Sequence, residues 1–233
     1  PAFEAFCQRR ARERCAPRKE DRTILGWFTD NELRWGPDWR GNDELLTLFL
    51  NLPSKAPGRQ AALQLLRERH AGIGRFNAVW KTDFASWTDL EQAGKIAAPI
   101  TRKAIYAQNE GEEREANDAD PNRAAFLADC DAFVTQLAER YFRITRDTLR
   151  AADPNHLNFG CRFAYLPPPP VRTAASRYLD VISFNCYQTD PTSAVRQYSL
   201  LGRPLAVPRG GGCSSRRELA LAKQLGPGQR ASG

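Results

Sequence analysis

The stretch Ile24-Leu25-Gly26-Trp27-Phe28-Thr29-Asp30-Asn31-Glu32-Leu33 constrains this chain more than any other. Ile24, Leu25, Trp27 and Phe28 are strand formers, and a short apolar run of this kind makes a core strand. The polar run Thr29-Asp30-Asn31-Glu32 follows with no turn glycine. The spacing predicts a short buried strand over Thr23–Phe28 whose C-terminal tip carries an amide and a carboxylate. In parallel α/β folds, that end of a strand is where catalytic groups are held.

The rest of the chain supplies a context for such a strand. Pro1 to about Cys15 reads as a helix, with Phe3, Phe6, Cys7 and Ala11 on one face. Asp43 is placed to cap a short helix carrying Leu45, Leu46, Leu48 and Phe49. Arg59–His70 is a second helix, closed by Gly72. Phe76–Leu90 holds Trp80, Phe84 and Trp87 without a clean period and reads as short helices and loops. Gln108–Asp120 is acidic and poor in apolar residues, so it is expected to be a solvated loop. Asp120-Pro121 starts a long helix to about Ala152. Its apolar stripe is Phe126, Cys130, Phe133, Val134, Leu137, Tyr141 and Ile144. His156–Phe163 is the next strand, and Pro167 to Pro170 enforce an extended connection. A short helix at Val171–Tyr178 leads to a buried strand, Val181–Tyr187, and Leu205-Ala206-Val207 lies in one more.

Strands alternating with helices imply parallel βαβ units. The fold class is therefore α/β. Four strands cannot close an eight-stranded barrel, so the expectation is a partial (β/α)8 (TIM) barrel over residues 1–207, followed by an atypical tail, 208–233. The chain has 233 residues, enough for one sizeable core. With 42% hydrophobic and 26% charged residues, it is globular in composition and not disordered. No apolar run is long enough to cross a bilayer, so no membrane partner is expected. The net charge of +7 raises the question of nucleic acid. Its arginines are interleaved with acids, as in Arg67-Glu68-Arg69, and no basic stripe or DNA-binding motif is present. The six cysteines and two histidines show no metal-ligand spacing. Most of the cysteines read as small buried hydrophobes, with Cys161 and Cys186 on strands that are candidates for proximity.

The string Gly26-Trp27-Phe28-Thr29-Asp30-Asn31-Glu32-Leu33, followed by Trp35, resembles the acid/base strand of the retaining glycosidases built on a (β/α)8 barrel, closest to the agarase and β-galactosidase-like branches. In that group an Asn-Glu pair ends the fourth strand. The resemblance implies a chain covering about the fourth to seventh strands, acting on a β-galactoside or agarose-like oligo- or polysaccharide with no cofactor and no metal. It makes Glu32 the acid/base carboxyl and Asn31 the residue that hydrogen-bonds the sugar 2-hydroxyl. Retention needs two carboxyl groups about 5–5.5 Å apart. Asn185 and Tyr187 fall at the end of the sixth strand, where a tyrosine orients the nucleophile. Arg162, at the end of the fifth, is placed to bind a substrate hydroxyl or carboxylate, or to make a structural salt bridge. Trp35, Trp39 and Trp80 offer sugar-stacking faces or core packing. His156 lies at a strand start, the end that serves stability.

The match fails at the nucleophile. The family places a glutamate just after the seventh strand, but Leu205-Ala206-Val207 is followed by Pro208-Arg209-Gly210-Gly211-Gly212, and no carboxylate occurs until Glu218. Ala220, Leu221 and Leu225 suggest a weak helix at most. With no Met and a changed composition after Val207, the expectation is an incomplete chain whose tail is disordered or out of frame, its true continuation lost through truncation or a reading-frame error. Alone it should be inactive. Two other classes are a non-catalytic carbohydrate-binding relative, which keeps an aromatic cleft, and a basic nucleic-acid-binding protein, which no motif supports. Localisation is left open.

Overall fold

The computed structural model of the chain describes residues 2–100, 121–186, 191–208 and 219–222. In chain order its elements are α1 (Ala2–Arg14), β1 (Gly26–Asn31), α2 (Leu45–Leu50), α3 (Pro57–Arg69), α4 (Ile73–Trp80), α5 (Trp87–Gln92), α6 (Pro121–Ala152), β2 (Leu157–Arg162), α7 (Pro169–Tyr178), β3 (Ile182–Ser183), α8 (Thr192–Ser199), β4 (Leu205–Pro208) and β5 (Leu219–Ala222). They fall into two compact units, residues 1–33 with 138–233 and residues 34–137. Helix α6 runs from one into the other.

The first unit holds all the strands found among the described residues. β1 starts three residues later than its apolar run suggests. The Asp21 carboxylate takes both the backbone N–H and the hydroxyl of Thr23 (3.0 and 2.6 Å), and Ile24 N–H bonds the Asp21 carbonyl. These bonds hold residues 21–24 in a turn. The expected strand is also less buried than predicted: Leu25, just before β1, is 48% exposed and Phe28, within it, 40%. Among the described residues its only strand partner is β2.

β1 and β2 run parallel, with Gly26 opposite Leu157 and Asn31 opposite Arg162, and with two register irregularities between. Two glycines explain this local shape. A Cβ on Gly26 would lie 2.3 Å from the Phe159 ring and from the Leu157 carbonyl. Gly160 sits at φ +60°, and a Cβ there would meet Leu179 at 2.5 Å; this left-handed residue breaks the regular ladder. β3 and β4 are also parallel, and the isolated bridge Phe163–Phe184 is parallel too. Phe163 N–H bonds the Ser183 carbonyl at 3.0 Å, and Asn185 N–H bonds the Phe163 carbonyl at 2.7 Å. Buried Phe159, Val181 and Ala206 form a core cluster with Leu157 against it.

Helices and strands thus alternate as an α/β chain requires. The strands form a two-stranded sheet, β1-β2, and a three-stranded sheet, β3-β4-β5, where four consecutive parallel strands of one barrel arc were expected. β3 is only two residues long, and the buried Ser183 hydroxyl donates to the Phe159 carbonyl (2.9 Å). The weak helix expected at Ala220 and Leu221 is instead strand β5, antiparallel to β4. The proline run is not wholly extended. Pro169 and Pro170 form the first turn of α7, where a missing N–H costs no helix hydrogen bond.

The foot of β1 is a buried polar knot. Asp153, just after α6, accepts from Trp27 Nε1 (2.6 Å), His156 Nδ1 (2.7 Å), and the backbone N–H groups of Asn155 and His156 (3.0 and 3.2 Å). The other His156 nitrogen, Nε2, lies 2.9 Å from the Asp21 carbonyl. His156 is therefore structural, as its place at a strand start suggests.

The second unit packs α2 to α5 with the first half of α6. Leu46, Leu50, Leu63, Leu66, Phe76, Trp80 and Phe126 are among its largest fully buried side chains. Buried Asp129 binds Arg69 Nε (2.7 Å), His70 Nε2 (2.9 Å) and Trp80 Nε1 (3.0 Å). The N-cap of α2 is Glu44 and not Asp43, whose carbonyl is taken by Arg34. Gly72 does not close α3; it caps the start of α4. Gln108–Asp120 lies outside the described residues apart from its surroundings in sequence.

Candidate active site

Three strand ends bring the polar residues of the first unit together. The ladder between β1 and β2 continues one residue past β1, where Glu32 N–H bonds the Arg162 carbonyl at 2.8 Å. At that residue the backbone turns into the left-handed region, with Glu32 at φ 54°. A glutamate there costs about 1 kcal/mol relative to glycine. Strain of this kind persists only where neighbouring contacts hold it. One such contact comes from just beyond β3, where Asn185 Nδ2 donates to Glu32 Oε1 at 2.5 Å and to Asn31 Oδ1 at 3.3 Å. Asn31 N–H in turn bonds the Asp30 carboxylate at 2.9 Å.

Glu32 is part-buried and Asn31 exposed. Arg162 makes none of the salt bridges found among the described residues. Its guanidinium lies 5.0 Å from the centre of the Phe28 ring, a cation–π contact. Its Nε is buried without a hydrogen-bond partner. Cys161, beside it on β2, is a free buried thiol that burial pushes up to about 12, so it stays protonated at neutral pH. Cys161 and Cys186 are not bridged to each other.

Of the residues expected at the site, Asn31, Glu32, Arg162 and Asn185 therefore share one rim. Tyr187 lies outside the described residues. The three tryptophans belong to the second unit, and two of them are corrected by their burial. Trp80 is 1% exposed, stacked on Phe76, with its edge against Phe126 and its N–H on Asp129; it is core. Trp35 is 3% exposed and offers no open face. Trp39 is 52% exposed, with the Arg40 guanidinium 4.4 Å over its ring.

Sequence reasoning missed Phe28 as the platform under Arg162, having assigned it to a buried strand. It also missed that the Asn185 amide is directed to Glu32 and Asn31. The only hint in the sequence was the position of Asn185 at a strand end. No group of His, Cys, Asp and Glu able to hold a metal occurs among the described residues. No described helix is long and apolar enough to cross a membrane.

No family model matches the chain. Two curated proteins of Vibrio sp. (strain JT0107) are similar to it. β-Agarase A is 29% identical over 200 residues, 79% of this chain and 18% of that protein. β-Agarase B is 27% identical over 182 residues, 75% of this chain and 16% of that protein. The chain spans less than a fifth of the length of either. Among solved structures, an exo-β-agarase superposes with a TM-score of 0.68 at 24% identity, over 89% of this chain and 26% of that one. Another agarase gives 0.63 at 24% identity, over 88% and 27%. These superpositions show a shared fold. The resemblance to glycosidases read from the Asn31-Glu32 strand tip is thus found along most of the chain.

Proposed function

We propose that the chain carries the acid/base half of a retaining, agarase-like glycosidase site, acting on a β-galactoside or agarose-like polysaccharide. In this reading β1 to β4 correspond to the fourth to seventh strands of a (β/α)8 barrel, and residues 1–207 are the part that belongs to it. Glu32 protonates the departing glycosidic oxygen and later takes a proton from the attacking water. Asn31 donates to the sugar 2-hydroxyl, a bond that strengthens as the oxocarbenium-like transition state forms. Arg162 and the exposed Phe28 ring line the same rim. The nucleophilic carboxylate is not supplied by the residues that follow β4.

The observation that carries this reading is the placing of Asn31 and Glu32 at the C-terminal tip of a parallel strand, bonded to the next two strand ends. The similarity to two β-agarases supports the substrate class.

Titration calorimetry of this chain with agarose oligosaccharides tests it. The expected result is measurable binding, at least about tenfold tighter than to cello-oligosaccharides of equal length, and weakened by Glu32→Gln. Equal or absent binding to both sugars sinks the substrate class. No turnover of an aryl β-galactoside is expected from the chain alone. Turnover abolished by Glu32→Gln would show that the second carboxylate is present after all.

A further inference from the structure

We propose that Asn185 is a positioning residue that sets the geometry of the Asn31–Glu32 pair and does not itself bind sugar. The inference rests on the reading of that pair as the sugar-facing groups.

Three observations carry it. First, one amide group serves both members of the pair, giving 2.5 Å to Glu32 Oε1 and 3.3 Å to Asn31 Oδ1. The Asn185 amide nitrogen donates to Glu32 Oε1, an oxygen that accepts as carboxylate and, as the carbonyl oxygen, in the protonated acid as well. This fixes the orientation of Asn185 by chemistry. Second, Asn31 receives that nitrogen on its carbonyl oxygen. The two branches of an amide point apart, so the Asn31 NH2 group is turned away from Asn185 and is presented as a donor. That is the polarity needed to bind a substrate hydroxyl oxygen. Third, Glu32 sits at φ 54°, a conformation that residues with a side chain rarely adopt. Its backbone is pinned to β2 through the Arg162 carbonyl at 2.8 Å, and its side chain to the end of β3 through Asn185. Asn185 is itself fixed, since its backbone N–H bonds the Phe163 carbonyl at 2.7 Å. Glu32 is thereby tied to both neighbouring strand ends. A proton donor held this way needs no reorganisation when substrate arrives.

The other ionisable side chains on these three strand ends, among the described residues, are Asp30, Cys161, Arg162 and Cys186.

The test uses the full 233-residue chain, labelled with carbon-13 at its carboxyl groups. The unsubstituted chain is compared with Asn185→Asp and Asn185→Ala, with thermal melts as a fold control. Asn185→Asp faces Glu32 with a second carboxylate, and two such groups share one proton. The Glu32 carboxyl signal should then titrate at least ~1 pH unit higher than in the unsubstituted chain. Asn185→Ala removes a donor and should move it in the same direction by less. If neither variant moves the Glu32 titration, the positioning role is overturned, whatever the sugar data say.

Binding of agarose oligosaccharide gives the second readout. Asn185→Ala should weaken it about tenfold, but less than about twofold when Asn31 and Glu32 are already alanine. Equal losses in both backgrounds overturn the proposal, because Asn185 would then act directly or through general stability. If no form of the chain binds the sugar while the Glu32 titration still moves, the substrate reading fails and the positioning role stands.

Discussion

The two ends of β1 obey opposite rules. At its foot, the side chains of Trp27, Asp153 and His156 satisfy one another with the Asp21 carbonyl. Asp153 is fully buried and accepts four hydrogen bonds, so almost nothing is left for a ligand. At its tip, five residues on, Glu32 is held in a left-handed conformation, Asn31 is exposed, and Arg162 keeps a buried Nε with no partner. The same strand thus carries a satisfied network that stabilises and a strained polar group that remains available for chemistry. Parallel α/β folds divide labour in this way, with stability at the N-terminal ends of strands and chemistry at the C-terminal ends.

The sharpest way to break this contrast is to remove the centre of the foot. Asp153→Ala removes a fully buried acceptor from the Trp27 indole N–H, the His156 ring and two backbone N–H groups. The expected loss is about 3 kcal/mol or more, since each unsatisfied buried donor costs about 1–3 kcal/mol. Urea unfolding of the variant against the parent chain measures it. A loss under about 1 kcal/mol means that water reaches the knot and that the foot is not the stabilising end.

A smaller effect of opposite sign is expected at the tip. Glu32→Gly relieves the positive φ, which favours glycine by about 1 kcal/mol, but gives up the hydrogen bond from Asn185. The net result should be stability unchanged or raised by up to about 1 kcal/mol, together with weakened agarose-oligosaccharide binding. This is the signature of a residue kept for function at a cost in stability. A variant destabilised by more than about 1 kcal/mol would place Glu32 among the structural residues.

The contrast also accounts for what the sequence could and could not reveal. The polar tip was readable because Asn31-Glu32 directly follows an apolar run, and so was the order of helices and strands, since period and turn residues are local signals. The start of β1 was not. Ile24 and Leu25 have strand propensity, but Asp21 captures Thr23 and Ile24 in a turn, and a local side-chain bond outweighs propensity. Trp80 read as a sugar platform because an indole beside polar residues looks the same in a cleft or a core. Its partner Asp129 lies 49 positions away, beyond any local pattern. For the same reason Asn185 could be placed at a strand end, but its partners, 153 and 154 residues earlier in the chain, could not be inferred.

The smallest expected effect concerns protons at the foot. Both nitrogens of His156 face oxygen: Nδ1 the Asp153 carboxylate and Nε2 the Asp21 carbonyl. Only the imidazolium can donate to both, because a neutral ring sets a lone pair against one of them. The bond to Asp153, and then that to Asp21, accordingly raises His156 above its ordinary value. Burial alone would raise Asp153. The donors from Trp27, His156 and the two backbone groups outweigh it, and hold the carboxyl below its ordinary value. A raised histidine adds stability that is complete below its unfolded value of about 6.5 and is lost as pH climbs through the folded value. A lowered aspartate adds stability that is present above about 4 and is lost as pH falls through its folded value. Urea midpoints should therefore hold a plateau between about pH 4 and 6.5 and decline on both sides. The alkaline decline should be absent in His156→Gln, which has no ring to titrate. If the parent chain and this variant trace the same profile from pH 5 to 9, His156 is not held as the imidazolium, and the foot is less fully satisfied than its geometry implies.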